Sequence, residues 1–324
     1  MTPKWLRLAV AISACGLALA AAPSLAQTWP QRPVKFVLPL GPGAGADISA
    51  RLLAERLTKR WGQPVVVENR PGGNTVVANE TVLAASPDGY TWLIAPPAFA
   101  ANVSLMTLRF DPLRDFVPAA RFALSADYFL LPGNAPVASV AEYVNLVKSQ
   151  PGKHNFGIPG IGGAAHLAFE QFKRAAAIDL TGIPYQGAPP VIPDLLNGQL
   201  SSAFIPAVIT MAQAKAGKVK PIAVISQRRQ RALPDVPTIA EAGYPGVQAT
   251  LWIGVVLAAK TPPELQRRAG EEIGKAIQSP EAQTRLDSVG AEAAYLGPEA
   301  FGAFIREEIE IARRIVTDAG IKIQ

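Results

Sequence analysis

The sequence predicts an α/β protein of two lobes, in which mostly parallel sheets are covered by helices on both faces. Strand-like apolar runs alternate with helical patterns from residue 34 to residue 225, which is the order that parallel sheets require. Two glycine-rich loops, far apart in the chain, each separate a strand-like run from a helix. Beyond residue 257 the pattern changes to consecutive helices.

The first stretch of alternating elements is punctuated by turn signals at Arg70–Gly73 and Ser86–Gly89. Short apolar runs predict its strands, and apolar residues three and four positions apart predict its helices. In chain order we expect strand Val34–Pro39, helix Ile48–Arg60, strand Pro64–Glu68, helix Val76–Ala85 and strand Thr91–Ala95.

The second stretch continues the same alternation and then becomes helical. In chain order we expect strand Phe122–Leu131, helix Val140–Ser149, strand His154–Gly157, helix Ala164–Arg174, strand Leu180–Tyr185, helix Val191–Asn197, strand Leu200–Phe204, helix Ile209–Ala216 and strand Lys220–Ile225. After these we expect strand Leu251–Leu257 and helices Pro263–Gln278, Glu281–Ser288 and Pro298–Ala319.

Two extended segments are the places where we expect the chain to cross between lobes. They are Arg121–Pro132 and Leu233–Leu257, of which the second is rich in proline, glycine and β-branched residues. We therefore expect lobe 1 to comprise residues 27–124 and 249–324, and lobe 2 to comprise residues 125–248.

Each glycine-rich loop leads from the end of a strand into a helix. The first is Gly41-Pro42-Gly43-Ala44-Gly45-Ala46-Asp47, and the second runs from Asn155 to Gly163 as N-F-G-I-P-G-I-G-G. Glycine lets backbone N–H groups approach a ligand closely, and the helix N-terminus behind them carries about half a positive charge. Ligands bind beyond the carboxyl ends of parallel strands. The two loops therefore predict an anion held between the lobes.

The N-terminus has the three parts of a secretory signal peptide. Lys4 and Arg7 precede the apolar run Leu8–Ala22, and Ser24-Leu25-Ala26 supplies small residues before cleavage at Gln27. The apolar run is short for a membrane span, so we expect residues 1–26 to be removed on export. An uncleaved anchor and lipid attachment at Cys15 are the alternatives.

The composition is mildly basic and restricts the partners. The net charge of +6 becomes +4 without the two basic residues of the signal, which favours small anionic ligands and argues against a nucleic-acid-binding surface. The only tight basic run, Arg228–Arg231, is typical of a solvated loop, with a phosphate site as the alternative. Cys15 is the only cysteine, so the exported chain has no disulfide and no thiol chemistry.

Sequence motifs of common enzyme classes are absent. The chain has no G-x-S-x-G, no P-loop motif and no His/Cys/Asp spacing typical of a metal site. The first loop fails the pattern G-x-G-x-x-G because Ala46 stands at its last glycine. We expect a binding protein that is not an enzyme and has no cofactor or metal.

A series of short motifs follows in order along the chain. They are Trp29–Val34, Gly41–Asp47 with Ala50-Arg51, Gly62–Gly72, Pro87–Thr91, His166-Leu167, Pro184–Gly187, Asp194–Gln199 and Leu233–Gly243. This series resembles the Bug-type solute-binding proteins of tripartite tricarboxylate transporters almost from end to end of the exported chain. The resemblance implies a type II periplasmic-binding-protein-like fold, with two crossovers and a cleft that closes on a small carboxylate.

The resemblance also implies a function and partners. The protein would be periplasmic and would deliver a small-molecule carboxylate to membrane subunits of a tripartite tricarboxylate transporter. The alternative is a periplasmic sensor that presents the carboxylate to a membrane-bound signalling receptor. Neighbouring genes for membrane subunits would favour transport, and a neighbouring sensor kinase would favour signalling. We expect a monomer that binds no nucleic acid.

This chain departs from the family pattern toward fewer hydroxyl and acidic groups. Gly41 and Ala44 replace a proline and a glycine of the first loop, and Gly163 stands where relatives often carry a serine. The second loop contains Ile158-Pro159, and Ser201–Pro206 occupies a stretch where relatives often carry aspartate. Because a hydroxyl-poor site does not reward a ligand hydroxyl, we expect a carboxylate with an apolar or aromatic body to bind better than citrate or malate.

The expected ligand-binding residues lie on the two loops and on the strand ends beside them. They are Leu40, Gly41, Pro42, Gly43, Ala44, Gly45, Asp47, Pro97, Phe99, Ile158, Pro159, Gly160, Gly162, Gly163, His166, Tyr185 and Phe204. The neighbouring Arg51 and Arg70 are expected to form structural ion pairs instead of contacting the ligand.

Several of these residues also have a structural interpretation. Asp47 could cap its helix, and His166 could be a packed or capping histidine. Tyr185 could belong to the sheet core or could place its hydroxyl at the mouth of the cleft. Phe99 and Trp252 could be partly core or could form a cleft wall.

Overall fold

The structure, a computed structural model, describes residues 29–247 and 251–320. The predicted signal peptide, with Lys4, Arg7 and Cys15, lies outside the described residues, as does the stretch 248–250 of the predicted second crossover. No helix in the described part of the chain is long and apolar enough to cross a membrane.

The first sheet of the described chain has six strands. They are β1 (Val34–Leu38), β2 (Val65–Asn69), β3 (Thr91–Ala95), β4 (Phe116–Ser125), β10 (Leu251–Ala258) and β11 (Ala291–Leu296). Their order across the sheet is β11-β4-β10-β3-β1-β2. β1 runs parallel to β2 and β3, whereas the pairs β10–β3, β10–β4 and β11–β4 are antiparallel.

The second sheet has five strands among the described residues. They are β5 (Asp127–Pro132), β6 (Asn155–Ile158), β7 (Thr181–Pro184), β8 (Ser202–Pro206) and β9 (Val219–Ile225). Their order across the sheet is β7-β6-β8-β5-β9. β6 runs parallel to β7 and β8, and β5 runs antiparallel to β8 and β9.

Helices follow most of the strands, and local capping residues fix several of their ends. They are α1 (Gly45–Trp61), α2 (Val76–Ala84), α3 (Ala98–Leu105), α4 (Pro112–Asp115), α5 (Val140–Ser149), α6 (Ala164–Ala176), α7 (Val191–Leu196), α8 (Ala207–Lys215), α9 (Pro263–Ile277), α10 (Pro280–Ser288) and α11 (Pro298–Ala319). α1 ends at Gly62, whose φ of 66° suits glycine. α5 begins after Ser139, whose hydroxyl accepts the Glu142 N–H.

Each sheet has its own aromatic core. Phe129 of β5 lies at the centre of one cluster, with its ring centroid 4.9 Å from that of Phe204 and 5.1 Å from that of Phe172. In the other cluster Trp252 of β10 packs edge-on against Phe301 at 5.6 Å. Because both faces of the sheets are covered, β5 is buried almost along its whole length.

The chain passes directly from one sheet to the other between β4 and β5. β4 ends at Ser125 and β5 begins at Asp127, so Ala126 is the only residue between them. The chain leaves β9 of the second sheet at Ile225 and re-enters the first sheet at Leu251. The chain thus changes sheets at Ala126 and between Ile225 and Leu251.

The predicted α/β class is confirmed, but the sheets are mixed and not mostly parallel. The strands beside the changes of sheet, β4, β5 and β10, return antiparallel to their neighbours. The predicted strand Phe122–Leu131 is two strands, because the chain changes sheets at Ala126, between Ser125 and Asp127. Four further elements were not predicted, namely the one-turn 3-10 helix Gly73–Thr75, helix α3, the one-turn helix α4 and strand β11.

Candidate functional site

The first glycine-rich loop connects β1 to α1 and is partly open to solvent. Gly43 has a φ of 80°, which is the left-handed region, and nothing lies within 4 Å of the position that a Cβ would take at Gly41 or Gly43. Ala44 precedes α1 and has no side chain that can cap it. The first-turn N–H groups of α1 therefore have no side-chain cap from this position, which is the arrangement that binds anions at helix N-termini.

Asp47 fixes the shape of this loop. Its Oδ2 accepts the Gly43 N–H at 3.0 Å, and the Arg51 guanidinium lies 2.9 Å from its Oδ1. Asn69 donates from Nδ2 to Asp47 Oδ1 at 2.9 Å and to the Leu40 carbonyl at 2.8 Å. Burial would raise the pKa of Asp47, but the hydrogen bonds from Arg51, Asn69 and Gly43 outweigh it and lower the pKa. Asp47 is therefore an anionic anchor for the loop.

The predicted role of Asp47 as a helix cap needs correction. Ala44 occupies the N-cap position, and the carboxylate of Asp47 reaches back to Gly43, which lies outside the helix. The predicted ion pairs of two arginines are confirmed, since Arg51 pairs with Asp47 and Arg70 pairs with Glu68.

The second glycine-rich loop connects β6 to α6 and has the same plan. Gly160 and Gly162 have φ values of 125° and 74°, and Gly163 precedes the helix without a side-chain cap. The Gly163 carbonyl accepts the N–H groups of His166 and Leu167. This loop too therefore ends at a helix N-terminus that has no capping side chain.

His166 fixes the shape of the second loop. Its Nδ1 accepts the Gly162 N–H at 3.0 Å, and its side chain is 6% exposed. Burial lowers the pKa of His166 to about 4, assisted by the charge of Lys173. The ring is therefore neutral at pH 7 and accepts a hydrogen bond at Nδ1. Its burial agrees with the interpretation of His166 as a packed histidine, whereas its contact with Gly162, outside the helix, is not a helix cap.

Each loop lies against elements associated with the opposite sheet. A Cβ at Gly45 of the first loop would lie 3.6 Å from Val208 Cγ1 and 3.7 Å from Pro206 Cβ, at the end of β8 and the start of α8. A Cβ at Gly162 of the second loop would lie 2.3 Å from Leu105 Cδ1 at the end of α3. Only glycine fits at position 162 without displacing Leu105.

A polar cluster beside the second loop was not predicted. Asn74 and Thr75 have positive φ values of 48° and 81°, a conformation that is rare for a β-branched residue. Asn74 Nδ2 donates to Asn102 Oδ1 at 2.6 Å, and Asn102 Nδ2 donates to Thr75 Oγ1 at 3.0 Å. Asn74 Nδ2 also lies 3.4 Å from the position of a Cβ at Gly162.

The sequence contains one signal that could have indicated this cluster. Gly72-Gly73-Asn74 follows β2 in the way that the two glycine-rich loops follow β1 and β6. Asparagine tolerates the left-handed region better than most residues. A turn with unusual backbone angles was therefore foreseeable there, whereas its contact with a loop of distant sequence was not.

Tyr185 supports the second loop through its backbone and directs its hydroxyl elsewhere. Its N–H donates to the Ile158 carbonyl at 2.9 Å, and its hydroxyl donates to Asp194 Oδ2 at 2.6 Å. Burial, together with Asp194, raises the pKa of Tyr185 to about 12. The hydroxyl that we expected at the cleft mouth is already bound by a carboxylate.

Three apolar side chains of the expected site belong to the core. Phe99 is 1% exposed and packs edge-on against Phe116, and Phe204 is fully buried between Phe129 and Phe156. Ile158 is 5% exposed within the same cluster as Phe204. The interpretation of these side chains as a ligand-facing wall is therefore corrected, because Ile158 and Phe204 lie in strands that are covered on both faces and Phe99 lies on the packed face of helix α3. Trp252 is likewise fully buried.

A cavity of about 390 Å³ adjoins the start of α6. Pro97, Ala164 and Leu167 line one side of it, and the α11 residues Glu308 and Arg314 line the other. The Glu308 carboxylate accepts the Trp252 Nε1–H at 2.9 Å, and burial raises the pKa of Glu308 to about 7. Among the expected ligand-binding residues, Pro97 lines this cavity.

In the described part of the chain, no cluster of His, Cys, Asp or Glu could hold a metal ion.

A family model extends the resemblance seen in the motifs to most of the chain. The model for the tripartite tricarboxylate transporter family receptor, TctC, matches residues 49–321. Protein BugT from Bordetella pertussis is 30% identical over 307 residues, which cover 94% of this chain and 94% of BugT.

Solved structures of similar sequence share the fold. Periplasmic binding protein BugD is 31% identical, with a TM-score of 0.85 over 91% of this chain and all of that one. An R. palustris protein solved with adipate is 30% identical, with a TM-score of 0.87 over the same shares of the two chains. MatC from Rhodopseudomonas palustris, solved with bound malate, is 28% identical, with a TM-score of 0.81 over 89% of this chain and all of that one.

Proposed function

Because this chain belongs to the tripartite tricarboxylate transporter receptor family, we propose that it is an extracytoplasmic solute-binding protein that captures a small carboxylate between its two glycine-rich loops. The observation that carries the proposal is the shared plan of the loops. Each has at least one glycine with a positive φ, an uncapped helix N-terminus and one N–H fixed by a side chain. Such N-termini stabilise a carboxylate by about 0.3–1 kcal/mol each, and by up to about 2 kcal/mol where they are partly buried.

The proposed mechanism is closure of two lobes over the ligand. Lobe 1 would contain the first sheet and lobe 2 the second, with boundaries near residues 124 and 249 as the sequence predicted. The carboxylate would bind the first loop and the N-terminus of α1, and the second loop would then close over it. The ligand shifts this equilibrium only through its tighter binding to the closed form. No catalytic step is part of this mechanism.

The substrate class that we propose is a carboxylate with an apolar or aromatic body. The backbone of both loops presents N–H groups, and the side chains that border the loops include Pro42, Pro159 and Pro206. One relative was solved with adipate, a ligand that has an apolar chain between its two carboxylates, and this supports the preference. The relative solved with malate favours a hydroxylated ligand instead, as do the polar side chains of the Asn74 cluster in this chain. A comparison of apolar with hydroxylated carboxylates therefore tests the preference directly.

We propose a periplasmic location, with export directed by residues 1–26, and delivery of the ligand to membrane subunits of a tripartite transporter. The relative BugD is a periplasmic binding protein, which supports this location. Presentation of the ligand to a membrane-bound signalling receptor is the alternative. Co-purification of the loaded and the ligand-free protein with membranes that contain each candidate partner distinguishes the two.

A thermal-shift screen tests the proposal. The protein from Gln27 onward is unfolded and refolded to remove bound ligand, and is then screened against citrate, malate, adipate, benzoate, nicotinate and terephthalate. A ligand at 100 times its dissociation constant stabilises the folded state by about 2.7 kcal/mol, which raises the melting temperature by several degrees.

Each outcome of the screen has a defined meaning. Stabilisation by benzoate, terephthalate or adipate supports both the binding function and the apolar preference. Stabilisation by citrate or malate only supports carboxylate binding and overturns the preference. No stabilisation by any carboxylate overturns the proposed function.

A further inference from the structure

A second cavity lies where the chain passes between the sheets, and it touches neither glycine-rich loop. Its volume is about 480 Å³, which is within the range of small-molecule sites. Ser125 and Ala126 line it at the β4–β5 junction, and Ile225 and Ser226 line it at the end of β9. We call this space the crossover cavity; it is also lined by Arg121, Leu124, Gln227, Arg228, Glu292 and Phe304.

Arg121 is the central charged group of the crossover cavity. Its guanidinium lies over the ring of Phe304, with 4.9 Å between Cζ and the ring centroid, and its Nε donates to the Ala294 carbonyl at 3.1 Å. These two contacts fix the plane of the guanidinium. Burial lowers the pKa of Arg121, while the charges of Glu308 and Glu292 raise it. The group is a fixed, half-buried cation that lines an open space.

Two carboxyl groups, Glu292 and Glu308, act on Arg121, and each also has another partner. Glu292 pairs with Arg228 at 3.0 Å on the exposed rim. Burial raises the pKa of Glu308 to about 7, so this carboxyl is only partly ionised near neutral pH. Leu124, Ala126 and Phe304 supply apolar surface beside the guanidinium. The cavity thus combines a fork of N–H donors with apolar walls.

We propose that the crossover cavity is a second ligand site, which binds a small organic monoanion with its oxyanion head on Arg121 and its apolar body against Leu124 and Phe304. A guanidinium matches the oxygens of a carboxylate, sulfonate or phosphonate through paired N–H donors. The basic run that begins at Arg228 then contributes to the rim of a binding site as well as to a solvated loop.

Occupancy of this site affects the glycine-rich loops, an inference that rests on the proposed function. The cavity walls come from both sheets at their junctions, so its shape depends on how the two sheets are placed. In this structure the cavity is open while Gly45 lies near Val208 and Gly162 lies against Leu105. An anion that fits the cavity stabilises this arrangement and therefore tightens carboxylate binding between the loops.

Calorimetric titration with benzenesulfonate tests the site. The refolded protein from Gln27 onward is compared with Gly162→Val, in which the second loop is blocked, and with Arg121→Gln. We expect benzenesulfonate binding to persist in Gly162→Val, weakened no more than severalfold because that variant disturbs only the arrangement coupled to the cavity. We expect an affinity at least about tenfold weaker for Arg121→Gln. Gln227→Trp, an exposed position on the rim, provides a second block that leaves the buried contacts of Arg121 in place.

Three results would overturn the site. They are no binding of benzenesulfonate by the wild type at millimolar concentration, loss of its binding in Gly162→Val, and wild-type affinity in both Arg121→Gln and Gln227→Trp. A further titration with the carboxylate found by the thermal-shift screen tests the coupling. Saturating benzenesulfonate should lower the dissociation constant of that carboxylate severalfold in the wild type but not in Arg121→Gln. An unchanged constant in the wild type overturns the coupling.

The two proposals fail separately. If no carboxylate stabilises the protein, the proposed function is wrong, while benzenesulfonate binding by Gly162→Val still decides the crossover cavity. If a carboxylate binds and benzenesulfonate does not, only the second site is wrong.

Discussion

The two glycine-rich loops have the same plan but are stabilised by different chemistry. In each, a glycine N–H is accepted by a side chain four residues later, Asp47 for Gly43 and His166 for Gly162. Asp47 is an anion that Arg51 and Asn69 hold through further hydrogen bonds. His166 is a neutral ring, whose Nε2 lies 3.9 Å from the carboxylate of Glu170.

The surroundings of the loops differ as well. There is open space around Gly41 and Gly43, whereas Gly162 is buried against Leu105. The conformation of the first loop is therefore fixed by an ion pair and by hydrogen bonds. The conformation of the second loop is also fixed by close packing against a distant part of the chain. A carboxylate ligand would thus meet one loop formed in advance and one that depends on the placement of the two sheets.

The largest expected effect is that of Gly162→Val. The new side chain meets Leu105 and a backbone angle that valine rarely adopts, so we expect the loss of measurable carboxylate binding from a folded protein. Isothermal titration checks this, with Gly198→Val as the matched control, because Gly198 has the same φ of 74° but lies outside both loops and has nothing within 4 Å of its Cβ position. Wild-type affinity in Gly162→Val would contradict the role of the second loop.

The next effect is a pH dependence that is specific to the second loop. The pKa of His166 is about 4 in the folded protein and 6.5 ordinarily, so between these values the unfolded chain binds a proton that the folded chain does not. The free energy of unfolding therefore keeps its full value above pH 6.5. It falls by up to about 3 kcal/mol as the pH decreases from 6.5 to 4.

Urea unfolding of the wild type and His166→Asn at pH 7 and pH 4 measures this difference. Asparagine keeps an oxygen acceptor for the Gly162 N–H but does not titrate. We expect the stability of the variant relative to the wild type to improve by about 3 kcal/mol on acidification. A constant difference between the two proteins would mean that His166 does not titrate as proposed. Because the pKa of Asp47 is lowered, the corresponding loss of stability at the first loop occurs only in solutions more acidic than those that protonate His166.

Asp47→Ala tests the first loop, and its expected effect on stability is smaller than that of acidification on His166. It removes the acceptor for Gly43 and the partner of Arg51, which is half exposed, so we expect a loss of about 2 kcal/mol in the free energy of unfolding. Glu310→Gln is the control, because it removes an exposed pair with Arg313 and should cost less than about 0.5 kcal/mol. Equal costs for the two variants in urea unfolding would exclude an anchoring role for Asp47.

The smallest effect is expected for Tyr185→Phe. The change removes the hydrogen bond to Asp194, which should cost about 0.5–1 kcal/mol of stability. If Tyr185 only supports the second loop, titration should give a carboxylate affinity within about twofold of wild type. A loss of tenfold or more would restore its interpretation as a ligand contact.

Much of the fold could be predicted because its signals are local. The bounds predicted for β3, α5 and α11 match the structure, since turn residues mark their ends and their apolar periods are regular. Strand β11, in contrast, is a short edge strand whose alternation is weak. The split between β4 and β5 was missed although Ser125 and Asp127 interrupt the apolar run there, because only the pairing partners reveal the change of sheet.

The candidate site shows the same limit. The positions of the glycines and of the helices behind them followed from residue types at fixed spacing, and the pairing of Arg51 followed from the family motif. The missing side-chain cap of the first helix did not follow, since the sequence also allowed Asp47 to cap it. The burial of Phe99, Phe204 and Ile158 did not, because a side chain that follows a strand can face either a cleft or a covering helix. The choice depends on what packs against the strand.

The sequence by itself determined that this is an α/β protein of the tripartite tricarboxylate transporter receptor family, with two loops whose glycines and following helices suit an anion. Only the tertiary structure decided which side chains hold those loops, which aromatic residues are core, and that Asn74 and Leu105 meet Gly162. The reason is one of range: backbone conformation and helix ends depend on residues a few positions apart. Contacts between distant segments depend instead on how two sheets and their helices pack.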